Sequence, residues 1–240
     1  MVTNMRFDFE NERVLAVVAH PDDAELLCAG TLIRARADGA SIGICVLCQG
    51  DKGQPDPPIA DLGAQRSEEM RAAAGLIGAE LLQGGFPDGT LDDSITSRRT
   101  VIEMMRRFRP TLVLAHSAAD YHPDHRSAAA LAEAASWFSA AAGHVTDSKP
   151  LSTPPALWWI DTVEMVGFDP QCYVDVSDCV QLKKRMLDCH RSQLARGGDD
   201  DFAELQDLML RQCRARGAQA GVQAAEAFQI HSVWKRARAW

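Results

Sequence analysis

The sequence predicts an α/β fold, a single domain built on a mostly parallel sheet with helices on both faces. Short apolar runs alternate with helical stretches through residues 1–145, and each run is too short to form a full helix. Glycine or proline punctuates the helix ends: Gly39 and Gly78 stand where helix C-terminal glycines are expected, and Pro110 stops a third helix. Strands that alternate with helices of this length require crossover connections, which make neighbouring strands parallel.

In order, strands are predicted at 13–19, 41–47, 80–83 and 111–115, with helices at 25–38, 64–76, 96–108 and 127–142. Residues 50–62 form a long irregular loop holding Pro55, Pro57 and Pro58. It leaves the end of the second strand, where a substrate wall and a plain solvated loop fit equally well. A Pro/Ser/Thr-rich break at 149–155 precedes two further strands, 157–163 and 172–176, and helices at 180–194 and 202–216. No long linker intervenes, so 146–240 reads as a C-terminal extension that completes the pocket of the 1–145 βα core.

Composition narrows the function. The chain has 240 residues, and 25 basic against 33 acidic side chains give a net charge of -8. Phosphate backbones and anionic membranes select clustered Lys and Arg, so nucleic acid and membrane surfaces are not expected partners. The N-terminus shows no charged-then-apolar leader, and the apolar runs stop at about seven residues, far short of a membrane span. A cytoplasmic protein is expected. Seven cysteines, an odd number, suit a reducing compartment. Cys45 and Cys48 form a C-x-x-C, but on one strand residues three apart face opposite sides, which makes them buried thiols.

Chemistry concentrates at two strand exits. His20-Pro21-Asp22-Asp23 follows the first strand and His122-Pro123-Asp124-His125 follows the fourth. In open α/β sheets the functional crevice lies beyond the carboxyl ends of the strands. His20, Asp23 and His125 supply two imidazoles and a carboxylate, a set that leaves a divalent ion an open position for water. Asp22 is then available as general base. His122, as an imidazolium, would stabilise the oxyanion and protonate the leaving amine, and Asp124 would hold that ring in its tautomer. His116 fits a supporting role or a purely structural one. Trp158 and Trp159 fit core packing better than a ring-stacking role in a pocket, because consecutive strand residues face opposite sides.

The motifs resemble those of the PIG-L / LmbE-like N-acetylglucosaminyl deacetylases. The similarity runs through 19–25 and 30–32, Arg66-Ser67-Glu68-Glu69, Phe86-Pro87-Asp88-Gly89, 120–126, His190-Arg191-Ser192-Gln193 and Ala225-Glu226-Ala227-Phe228. It implies a Rossmann-like fold and a zinc-dependent hydrolase that removes the acetyl group of an N-acetylated amino sugar. By motif, His20, Asp23 and His125 match the metal ligands, Asp22 the base, His122 the acid and Asp124 its orienting group. Arg66, Asp88, Tyr121 and Gln193 fall in elements assigned to substrate binding. Where many relatives carry Gly-Glu after the second strand, this chain reads Gln49-Gly50-Asp51-Lys52-Gly53, which bears on the substrate pocket.

The expected function is hydrolysis of an amino-sugar amide, or a glycoside of one, by water activated at zinc. Iron(II) or another divalent ion fits the same donors. The alternative is a metal-dependent hydratase or lyase acting on a small carboxylated substrate, which a cavity rich in cations would favour. A non-catalytic binding protein would not need Asp22 paired with His122. A homo-oligomer is left open.

Overall fold

The computed structural model describes residues 8–194 and 205–233. Seven strands form one sheet: β1 (Arg13–Val18), β2 (Ser41–Cys48), β3 (Glu80–Phe86), β4 (Leu112–Ala115), β5 (Ala156–Ile160), β6 (Cys172–Asp175) and β7 (Ala225–Ile230). Their order is β3-β2-β1-β4-β5-β7-β6. The first five run parallel, and β7 is antiparallel to both β5 and β6. The strand patterns explain why both faces are covered. On β1, Val14, Ala16 and Val18 enter one core while Leu15 and Val17 enter the other.

The helices that cover the first face include α1 (Asp23–Leu27), α2 (Ala29–Ala37), α3 (Leu62–Ile77), α6 (Val180–Leu187) and α8 (Leu205–Ala220). The second face is covered by α4 (Ile95–Phe108) and α5 (Pro123–Phe138). Local chemistry bounds the helices. Asp61 caps α3 by accepting from Ala64 N–H, Ser94 caps α4 through Ser97 N–H, and Gly78 closes α3 in the left-handed region at φ 66°.

Three elements differ from the sequence reading. The helix predicted at 25–38 is broken at Cys28 into α1 and α2. The break exposes the N-terminus of α2 to Glu226 of β7, whose carboxylate accepts from Gly30 N–H, Thr31 N–H and the Thr31 hydroxyl at 2.7–2.9 Å. A β-carbon on Gly30 would sit 2.7 Å from Val176, so glycine is required there. Second, the helix predicted at 180–194 is interrupted, with α6 stopping at Leu187 and α7 (Arg191–Leu194) following a turn. Third, β7 was not anticipated as a strand. The buried Lys183 ammonium meets Glu226 at 2.5 Å and compensates its charge. Of the helix predicted at 202–216, residues 202–204 lie outside the described residues.

Trp158 packs against Phe9 and Phe228, and Trp159 meets His231 edge-on. Neither lines the cleft described below. Among the described residues no helix is long and apolar enough to cross a membrane.

Candidate metal centre and catalytic cleft

β1 lies between β2 and β4, so the connections leaving β1 and β4 diverge and open a crevice at their carboxyl ends. Both His/Asp segments stand at this crevice. His20 Nδ1 lies 3.3 Å from His125 Nε2 and 3.6 Å from Asp23 Oδ2, and His125 Nε2 lies 3.3 Å from Asp23 Oδ1. A tetrahedral ion with bonds of about 2.1 Å has donor–donor edges of about 3.4 Å, so these three side chains are spaced to share one. Asp23 Oδ2 accepts the His20 backbone N–H at 2.7 Å, and His116 Nε2, which accepts the Ala19 N–H, lies 3.1 Å from it.

Each histidine carries a carboxylate on its outer nitrogen. His20 Nε2 meets Asp124 Oδ2 at 3.0 Å, and His125 Nδ1 meets Asp120 Oδ1 at 3.0 Å. Such a partner fixes the tautomer, leaving the inner nitrogen free to ligate. The same carboxylates govern the proton affinities. Burial disfavours a charged ring, but Asp124 and Asp23 outweigh it and raise His20 to about 10. His125 is raised to about 9, again against burial, by Asp23 and Asp120. Burial pushes Asp23 up, but the charged His125 outweighs it and holds the carboxyl well below the usual carboxylate range. His116 is fully buried and stacked on His125, and burial together with His125 lowers it to about 4, so it stays neutral behind Asp23.

Asp22 begins α1 in a left-handed conformation, φ 106°, that a residue with a β-carbon rarely adopts. Arg66 holds it there. Its Nη2 donates to Asp22 Oδ2 at 2.9 Å and to Pro21 O at 2.5 Å. Gly50, at φ 73°, lets the guanidinium pass, since a β-carbon would lie 2.7 Å from it. Burial raises the Asp22 pKa against the pull of Arg66, which moves the carboxylate toward the range of a working base.

His122 caps α5, and its Nδ1 accepts the Asp124 backbone N–H at 3.1 Å. Two expectations change here. Asp124 orients His122 through its backbone, while its carboxylate serves His20, because the first turn of α5 directs that side chain toward the exit of β1. An Nδ1 that accepts a hydrogen bond also favours the neutral ring with its proton on Nε2. Burial and the neighbouring His20 and His125 lower the His122 pKa in the same direction.

A family model described as GlcNAc-PI de-N-acetylase matches residues 15–136, about half of the chain. The chain belongs to the PIG-L family. A relative, the diacetylchitobiose deacetylase of Thermococcus kodakarensis, is 27% identical over 210 residues, covering 83% of this chain and 75% of that protein. The N,N'-diacetylchitobiose deacetylase of Pyrococcus horikoshii has a similar fold at TM-score 0.83 and 24% identity, over 95% of this chain and 87% of that one. The 4-carboxy-2-hydroxymuconate hydratase of Pseudomonas putida shares the fold at TM-score 0.79 and 22% identity, over 95% and 99%.

In this PIG-L chain His20, Asp23, His125, Asp22 and His122 line a cavity of about 650 Å³ together with Arg66, Asp88, Tyr121 and Gln193. Arg66, expected among the substrate contacts, is buried and paired with Asp22 at the cavity wall. Asp88 accepts from Gly50 N–H at 2.7 Å and thereby shapes the loop after β2. Tyr121 stands 65% exposed at the mouth, edge-on to His122. Gln193 rides on α7, which Glu69 pins through the Ser192 N–H and hydroxyl, and its side-chain oxygen is buried without a hydrogen-bond partner.

Sequence reasoning gave no role to Asp120, Glu25 or His190. Asp120 could have been noticed as an acid five residues ahead of His125. Glu25 and His190 form a fully buried pair, 3.5 Å apart, and Glu25 overcomes burial to raise the His190 pKa. Cys48, packed near His20 and Asp88, is kept a thiol by burial.

Proposed function

We propose that this protein is a zinc-dependent N-deacetylase acting on an N-acetylated amino sugar or a glycoside of one. The observation that carries the reading is the convergence of His20, Asp23 and His125 with a carboxylate behind each histidine. Zinc is proposed as the ion, held by those three residues; iron(II) suits the same donors. When bound, it supplies Lewis acidity for the carbonyl oxygen and lowers the pKa of a water toward neutrality.

The chain's own residues do the rest. Asp22, fixed by Arg66, takes the proton of the attacking water as oxygen bonds to the amide carbon. His122 offers Nε2–H to the oxyanion that forms. As the C–N bond breaks, the proton held by Asp22 passes to the departing amine, and the acetic acid formed gives up its proton to that amine, so that acetate and the ammonium product result. Asp88 and the unpartnered oxygen of Gln193 suit sugar hydroxyls. Seven unpaired cysteines fit a reducing compartment, which supports a cytoplasmic enzyme.

The hydratase reading is less well supported. Among the described lining residues the cations are Lys52 and Arg66; Arg66 is committed to Asp22 and Pro21, and Lys52 is paired with Asp51. A panel of free and glycosidic N-acetylhexosamines, set beside unsaturated dicarboxylates, decides between them. Amine release from the sugars supports the deacetylase. Hydration of the dicarboxylates with no amine released would overturn it.

A further inference from the structure

The cleft is two-sided. On the side of β2 and β3 it is lined by Lys52 and Gly53, from the loop after β2, and by Asp88 and Gly89, from the loop after β3. On the side of β5 and β7 it is lined by Leu26 of α1, Val163 of the loop after β5, and Leu205 and Leu208 of α8. The sheet order puts the metal donors, at the ends of β1 and β4, between the two. The apolar wall lines the same cleft as the reacting groups, and its backbone is tied to them: Leu26 follows Asp22 by one turn of α1, and Val163 N–H donates to Asp120, the carboxylate behind His125. Leu205 and Leu208, three residues apart on α8, share a helix face. Glu164 and Tyr121 stand exposed at the rim, and Glu164 faces Arg211.

An amide bound for hydrolysis has its carbonyl at the donors, its amine substituent on one side and its acyl chain on the other. Sugar hydroxyls require hydrogen-bond partners, which Asp88 and Lys52 supply and four aliphatic side chains do not. We infer that Leu26, Val163, Leu205 and Leu208 form an acyl subsite, which takes an aliphatic chain longer than acetyl. This rests on the proposed amide hydrolysis only for the direction in which the substrate lies. Transfer of each methylene from water to such a wall strengthens binding roughly fourfold when burial is complete.

Straight-chain hydroxamates test the subsite without turnover, because the head group anchors at the metal and the tail samples the wall. Calorimetry on zinc-loaded protein with acetohydroxamate, butanohydroxamate and hexanohydroxamate is expected to show binding that tightens about twofold to fourfold per methylene. Leu208→Ser is expected to reduce that gain, and the wild-type series stands as a test even if that variant does not fold. Equal binding along the series would overturn the subsite. N-acetylglucosamine, N-hexanoylglucosamine and hexyl N-acetylglucosaminide form the turnover arm. A gain in kcat/KM for the hexanoyl amide is expected, and a gain for the hexyl glycoside alone would assign the wall to the aglycone and overturn the acyl subsite. Tail-dependent binding with no amide cleaved leaves the subsite standing and removes the deacetylase. Cleavage of the acetyl amide without any tail effect does the reverse, and failure of every hydroxamate to bind removes both.

Discussion

Asp120 meets the outer nitrogen of His125 at 3.0 Å, on the side of the ring away from Asp23. Its other oxygen accepts the Val163 N–H, so the carboxylate ties the exit of β4 to the loop after β5 while it orients the histidine. Asp120→Asn removes the charge and keeps the shape. The expected result is zinc affinity weakened about 10- to 100-fold in a chelator competition, with the fold intact by circular dichroism. Affinity equal to wild type would show that Asp120 does not tune the site.

Arg66 predicts a separate effect. It touches Asp22 and none of the metal donors, so Arg66→Met is expected to leave zinc per chain unchanged and to lower kcat on the order of 100-fold as Asp22 loses its fixed position. An increase in KM at constant kcat would instead make Arg66 a substrate contact, as the sequence resemblance suggested.

Proton affinities give the protein opposite pH responses with and without metal. In chelator-treated protein His20 and His125 are raised to about 10 and about 9, above the ordinary histidine value near 6.5. A raised folded-state pKa stabilises fully below the unfolded value and is lost as pH rises through the folded one. The metal-free melting temperature is therefore expected to fall between about pH 6.5 and 10. Zinc competes with the same protons, so its affinity is expected to rise over that window. Parallel melting curves at every pH would contradict this.

Lys183 and Glu226 form a buried pair that joins α6 to β7 and, through Gly30 and Thr31, to α2. Lys183→Met strands the Glu226 charge and is expected to cost about 3–5 kcal/mol by urea unfolding. Lys183→Met with Glu226→Gln is expected to recover a large part of that loss. A double variant as unstable as the single one would show that the pair acts through packing alone.

These residues also show what the sequence could reveal. His20, Asp22 and Asp23 lie within four consecutive positions at one strand exit, and His122 and His125 within four at another, so a parallel sheet alone brings them together. Asp124 was misread because adjacency to His122 says nothing of side-chain direction, which the first turn of α5 sets toward His20. The contact of Arg66 with Asp22 was not legible, because a lone arginine on a helix carries no mark of burial until Gly50 and Pro21 close over it. β7 was illegible as a strand because Glu226 points inward beside Phe228, and Lys183, 43 positions away, together with the N-terminus of α2 makes that charge tolerable. The division of helix 25–38 follows from the same carboxylate.

The most direct test of the account is amine release from an N-acetylated amino sugar as zinc is titrated into metal-free protein, with Asp22→Asn alongside. The account predicts activity that rises with zinc and levels at one ion per chain. Asp22→Asn should bind the same ion with little turnover. Amine release independent of zinc, or undiminished in Asp22→Asn, would contradict it.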